Sequence, residues 1–93
     1  MSYTVMVDDN FHPHDEDERY ELGAFDTLDE AIAACKKCVD EDLEGIRKPG
    51  MTAEDLYDHY TRFGSDPFIL DLLPGLTFSA WAYAKHRCFK MLP

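Results

Sequence analysis

The densest chemistry in the chain lies between Asp8 and Glu18. Asp8-Asp9-Asn10-Phe11-His12-Pro13-His14-Asp15-Glu16-Asp17-Glu18 gathers six carboxylates and two imidazoles into eleven residues. Oxygen clusters of this kind attract hard divalent cations, and carboxylates ~6 Å apart repel one another by about 0.7 kcal/mol in water. The segment does not fit a calcium loop. Counted from Asp8, Pro13 stands where the sharp turn needs glycine and Arg19 where the bidentate glutamate belongs. A transition metal fits better: His12 and His14 flank a single residue and share one side of an extended chain, where Asp8, Asp9 or Asp15 would complete the ligand set. The plainer reading is a solvated loop with Asx turns at Asp9 and Asn10.

Other constellations carry less. Cys35-Lys36-Lys37-Cys38 has redox spacing, but it falls about two turns inside a helical pattern, where the dipole no longer favours a thiolate; core packing is the better account. A zinc site from Cys35, Cys38, His86 and Cys88 fails because residues two apart on a helix point roughly 200° apart. His59, beside Asp58 and Tyr60, reads as an outward helical residue. No serine has the Gly-x-Ser-x-Gly context, and no glycine-rich loop suits a phosphate.

Charge narrows the partners. The 93 residues carry 19 acids against 9 Lys and Arg, a net charge of -10. That balance argues against nucleic acid or an anionic membrane surface, and no apolar run is long enough to span a bilayer. Ten acids lie between Asp8 and Glu30 against Arg19 alone, whereas Lys85 to Lys90 is basic. A dipolar molecule of this kind suits a basic protein partner or a second copy of itself in a homodimer. The N-terminal residues lack a basic n-region and three cysteines make no disulfide framework, so the expected setting is the cytoplasm.

The elements that must position these groups follow from periodicity. Tyr3, Val5 and Val7 alternate with polar neighbours as a strand, and Arg19 to Phe25 alternates again with Tyr20, Leu22 and Ala24 on one face, so the two pair as an antiparallel hairpin with a long loop. Thr27 and Glu30 form a capping pair for a helix over Leu28–Gly45, striped by Leu28, Cys35 and Val39. Thr52 and Asp55 start a second helix, with Met51 stapling onto Leu56, an inner face of Leu56, Tyr60 and Phe63, and Gly64 as its stop. Asp66-Pro67 forces an extended start for a strand over Phe68–Leu72. Ser79 caps a last helix, with Phe78 and Tyr83 stapled and Trp81 packed inward beside Ala84 and Cys88. Residues 1–93 therefore read as one α+β domain: a three-stranded, mainly antiparallel sheet covered by three helices, in the order β-β-α-α-β-α.

Tyr-Thr-Val-Met-Val-Asp-Asp-Asn-Phe-His at residues 3–12, with Phe-Ser-Ala-Trp and Tyr-Ala from residue 78, resembles a family of small uncharacterised bacterial proteins. The resemblance implies a bacterial cytoplasmic setting and no activity or cofactor. The residues themselves point first to a non-enzymatic interaction module that presents Asp15, Glu16, Asp17 and Glu18, together with Trp81 and Tyr83, to a basic partner or a dimer mate. The alternative is a divalent-cation protein or small metalloenzyme using Asp8, His12, His14 and Asp15.

Overall fold

The computed structural model describes residues 3–10, 19–70 and 78–92. Along the chain run β1 (Tyr3–Asp9), β2 (Tyr20–Phe25), α1 (Leu28–Ile46), α2 (Ala53–Phe63), β3 (Ser65–Ile69) and α3 (Ala80–Met91). This is the α+β order expected from the sequence. β1 lies in the middle, antiparallel to both neighbours, in the order β2-β1-β3. Its alternation explains the place: Val5 and Val7 are buried on one face, while Thr4, Met6 and Asp8 stay half-buried on the other.

α1 joins the two halves of the interior. Its buried residues Ala31, Cys35, Val39 and Leu43 recur every four positions. The first two pack with Val5 and Ile69 of the sheet. The last two pack with Ala53, Leu56 and Tyr60 of α2 and Ala80, Ala84 and Cys88 of α3. Caps set the helix starts as their spacing predicts. Thr27 Oγ1 accepts from Glu30 N at 3.1 Å, Thr52 and Asp55 complete a reciprocal box, and Ser79 Oγ accepts from Ala82 N at 3.2 Å. Phe78 and Tyr83 staple across the last cap with ring centroids 5.9 Å apart. Among the described residues, no helix is long and apolar enough to cross a membrane.

Four expectations need correction. β3 runs over Ser65–Ile69 rather than Phe68–Leu72, and places Pro67 in mid-strand. The ladder shows why that is tolerated. Leu70 N donates to Thr4 O and Asn10 N to Gly64 O, so even-numbered β1 residues bond to β3. Pro67 faces odd-numbered Val7 on an edge strand, where its missing N–H breaks no bond. β2 does not keep Tyr20, Leu22 and Ala24 on one face. Val5 faces Gly23 whereas Met6 faces Glu21, so Leu22 is a bulge that returns Tyr20 to the side of Gly23 and Phe25. Phe63 is 58% exposed, because the buried stripe of Ala53, Leu56 and Tyr60 continues at Gly64 instead. Trp81 is 43% exposed, because α3 turns its small residues Ala80, Ala84 and Cys88 inward and approaches its neighbours closely.

Gly64 is held by space rather than by dihedral angle. A Cβ there would stand 2.5 Å from Tyr60 Cδ1 and 2.8 Å from Tyr60 O, whereas one at Gly45 would meet nothing within 4 Å. Gly64→Ala is expected to cost about 1–3 kcal/mol through overpacking, and Gly45→Ala to gain up to about 1 kcal/mol from helix propensity. Urea midpoints at unchanged slope check both signs.

Candidate functional site

The connector between β1 and β2 is anchored at both ends by described residues. At its far end, Arg19 Nε donates to Asp8 Oδ1 and its Nη2 to Asp8 Oδ2 at 3.3 Å. The same guanidinium lies 5.2 Å from the centroid of the Phe68 ring. Asp8, expected as a metal ligand, is thus engaged by a cation, and it faces Asp66 across the β1–β3 ladder. Burial raises the Asp66 carboxyl above its ordinary value, and the Asp8 charge adds to this.

At the near end, Asn10 ties three elements together. Its Nδ2 donates to Tyr60 O at 3.0 Å, its Oδ1 accepts from Trp81 Nε1 at 3.2 Å, and its N–H bonds to Gly64 O. Trp81 therefore stands beside the start of the connector, half in solvent. Tyr83 is elsewhere: its hydroxyl donates to Asp40 at 2.9 Å, Arg87 Nε reaches the same carboxylate at 3.1 Å, and Lys36 Nζ lies 5.6 Å from its ring centroid. Of the residues singled out in the sequence, the structure gathers Asp8 and Trp81 around the connector's two ends. His12, His14, Asp15, Glu16, Asp17 and Glu18 lie outside the described residues. Among the described residues no group of three or more His, Cys, Asp or Glu side chains is placed to hold a metal ion.

A second feature was invisible to periodicity. The bulge at Leu22 brings Tyr20 to the side of Phe25, and Tyr20, Leu22 and Phe25 line one wall of an open cleft of about 420 Å³ whose opposite wall is Ala34, Lys37, Cys38, Glu41 and Asp42 of α1. Tyr20 and Leu22 remain 51% and 40% exposed. The Asp42 carboxylate accepts from Ser65 N at 2.7 Å. Burial raises its pKa, the Ser65 hydrogen bond opposes the rise, and the charges of Glu41 and Asp9 reinforce it. The Tyr20 hydroxyl is also raised, first by burial and then by Cys38, Asp42 and Glu41. Among the described residues neither Glu41 nor Asp42 makes an ion pair.

The cysteines follow the packing account. Cys35 is buried and Cys38 half-buried, and both are free. Burial first, then nearby acids, pushes Cys35 to about 11 and Cys38 to about 12. His86 is exposed while Cys88 is buried, so the two diverge on α3 as a helix requires.

With this geometry in hand, comparison with known proteins adds no identity: no family model, no curated protein and no solved structure matches the chain.

Two measurements follow from these environments. Iodoacetamide should alkylate Cys35 and Cys38 in the folded protein about 100-fold or more slower than a model thiol at neutral pH, with the ordinary rate restored in urea. Because Asp42 binds its proton more tightly folded than unfolded, its contribution to stability is complete below the ordinary value of 3.8 and is lost as pH rises through the raised value. The urea midpoint of Asp42→Asn relative to the native chain should therefore climb with pH across that window and level off above it.

Proposed function

We propose that the protein is a non-enzymatic protein-binding module whose acidic connector receives a basic segment of a partner protein, in the bacterial cytoplasmic setting implied by its motifs. The observation that carries this reading is the placement of charge beside anchors. Asp15 to Glu18 form four consecutive acids in a chain of net charge -10. On its N-terminal side the segment is preceded by Asn10, which holds the half-exposed Trp81, and on its C-terminal side it is followed by Arg19, next to the half-exposed Tyr20. Interfaces favour this composition: exposed aromatic groups supply contact area at low entropic cost, and like charges at the rim select a partner of opposite sign and speed its approach.

The described side chains also support binding over catalysis. The Cys35 and Cys38 thiols are pushed toward their neutral forms, His59 is an exposed helical residue stacked on Phe63 with centroids 6.4 Å apart, and Asp40 is committed to Tyr83 and Arg87. None of these makes the base-to-nucleophile contact that general-base catalysis uses.

The test uses the single tryptophan as reporter. Short Lys-rich, Ser-rich and Glu-rich peptides are titrated into the protein while Trp81 emission is followed, at about 0.05 M and about 0.5 M salt. The Lys-rich peptide alone should bind, and its affinity should fall at least about tenfold at the higher salt. Replacing Asp15→Asn, Glu16→Gln, Asp17→Asn and Glu18→Gln together should abolish the salt dependence. Equal binding of all three peptides, or binding indifferent to salt, would overturn the reading.

A further inference from the structure

We propose that the cleft between β2 and α1 is the docking site for one extended, basic segment of a partner protein, which adds to the free edge of β2 and lays a Lys or Arg side chain along the cleft. The inference rests on the binding-module reading and names the surface and the chemistry of its ligand.

The backbone supplies the first half of the argument. Odd-numbered β1 residues bond to β2, so Tyr20, Gly23 and Phe25, which face Val7, Val5 and Tyr3, spend their N–H and C=O groups on that ladder. Ala24, between two of them, turns its N–H and C=O away from β1, and among the described residues no strand pairs with that edge. A strand added there would send alternate side chains to the α1 side, over the cleft.

Side-chain chemistry supplies the second half. Tyr20, Leu22 and Phe25 offer an apolar wall against which an aliphatic stem can lie, and on the facing wall Glu41 and Asp42, without an ion pair among the described residues, outnumber Lys37 two to one. An apolar track ending in carboxylates is complementary to a long side chain with a cationic head. The same charges argue against a second copy of this chain as the occupant. Antiparallel self-pairing of β2 would bring the acidic segment before one strand against Asp26 after the other, like charge against like.

The experiment uses the intact protein, with peptide binding followed by isothermal titration calorimetry. Three peptides alternate Val with Lys, with norleucine, which keeps the stem without the head, and with Glu. The Lys peptide should bind at least about tenfold tighter than the norleucine peptide, and the Glu peptide should not bind. Glu41→Lys alters an exposed helical position; it should weaken the Lys peptide about tenfold and give the Glu peptide measurable affinity. Ala24→Pro removes the outward N–H without touching the β1 ladder and should abolish binding while the thermal melt keeps its shape. If the Lys-rich peptide of the preceding test binds in a salt-dependent manner but the alternating peptides are indifferent to Glu41→Lys and Ala24→Pro, the docking site is overturned and the module reading stands. If no basic peptide binds even at low salt, both fall. If the native chain instead self-associates with rising concentration and Ala24→Pro abolishes that, a second copy owns the edge and the proposal is overturned.

Discussion

The structure depends on one stripe of side chains. Ala31, Cys35, Val39 and Leu43 put four buried groups on a single face of α1, and that face must satisfy two different partners. A sheet presents β-branched side chains on a pleat, and Val5 and Ile69 meet the small Ala31 and Cys35. A helix pair presents ridges, and Val39 and Leu43 fit among Leu56, Tyr60, Ala84 and Cys88. The small residues lie where the sheet approaches and the larger ones where the helices leave room. Neither cluster would bury a sufficient area alone in a chain this short, so α1 couples the sheet to the helices as one cooperative core.

Polar groups on the flanks of that stripe fix the orientation of everything else. Asp40 holds Tyr83 and Arg87 of α3 on one side, while Asp42 caps the Ser65 N–H at the start of β3 on the other. The Ser65 N–H, like the Pro67 nitrogen, points away from β1 and would otherwise lack a strand partner; Asp42 supplies the acceptor at the cost of desolvating a carboxylate. Asn10 performs the corresponding task beside it, just past the same end of β1, joining that strand to α2 and α3 through Tyr60 and Trp81. Tyr60 in turn donates its hydroxyl to Ser65 O. The described acids therefore include some bound into the fold, Asp8, Asp40 and Asp42, and others, such as Glu41, that face outward.

How much of this the sequence discloses depends on the range of the physics involved. Thr27, Thr52 and Ser79 act within a single turn, so their caps, and with them the three helix starts, are legible from spacing alone. The α1 stripe is legible for the same reason, as is Cys35 on it and Cys38 at its edge. Leu22 is different. A bulge exists only relative to a partner strand, and nothing in Tyr-Glu-Leu-Gly-Ala-Phe distinguishes it from plain alternation; the cleft it creates was hidden with it. Pro67 pushed the expected start of β3 toward Phe68, because the harmlessness of a missing N–H depends on the parity of the facing strand. Trp81 shares a helical stripe with Ala84 and Cys88 by spacing, which points it inward, whereas α3 is rotated so that its narrow face of Ala80, Ala84 and Cys88 is the buried one.

The bulge also gives a physical connection between edge protection and recognition. A free strand edge invites pairing with any extended chain, and proteins blunt such edges with bulges and charge. β2 carries both: the Leu22 bulge interrupts its regular ladder, and Glu21 and Asp26 sit along and just beyond it. Identical chains approaching edge to edge meet the same sign of charge, which disfavours aggregation. The interruption leaves the Ala24 amide turned outward all the same, and Tyr20 and Leu22 line a cleft beside it. Charge that repels a second copy is attractive to a cationic segment, so features that keep the edge from pairing indiscriminately are also those that confer a preference on it.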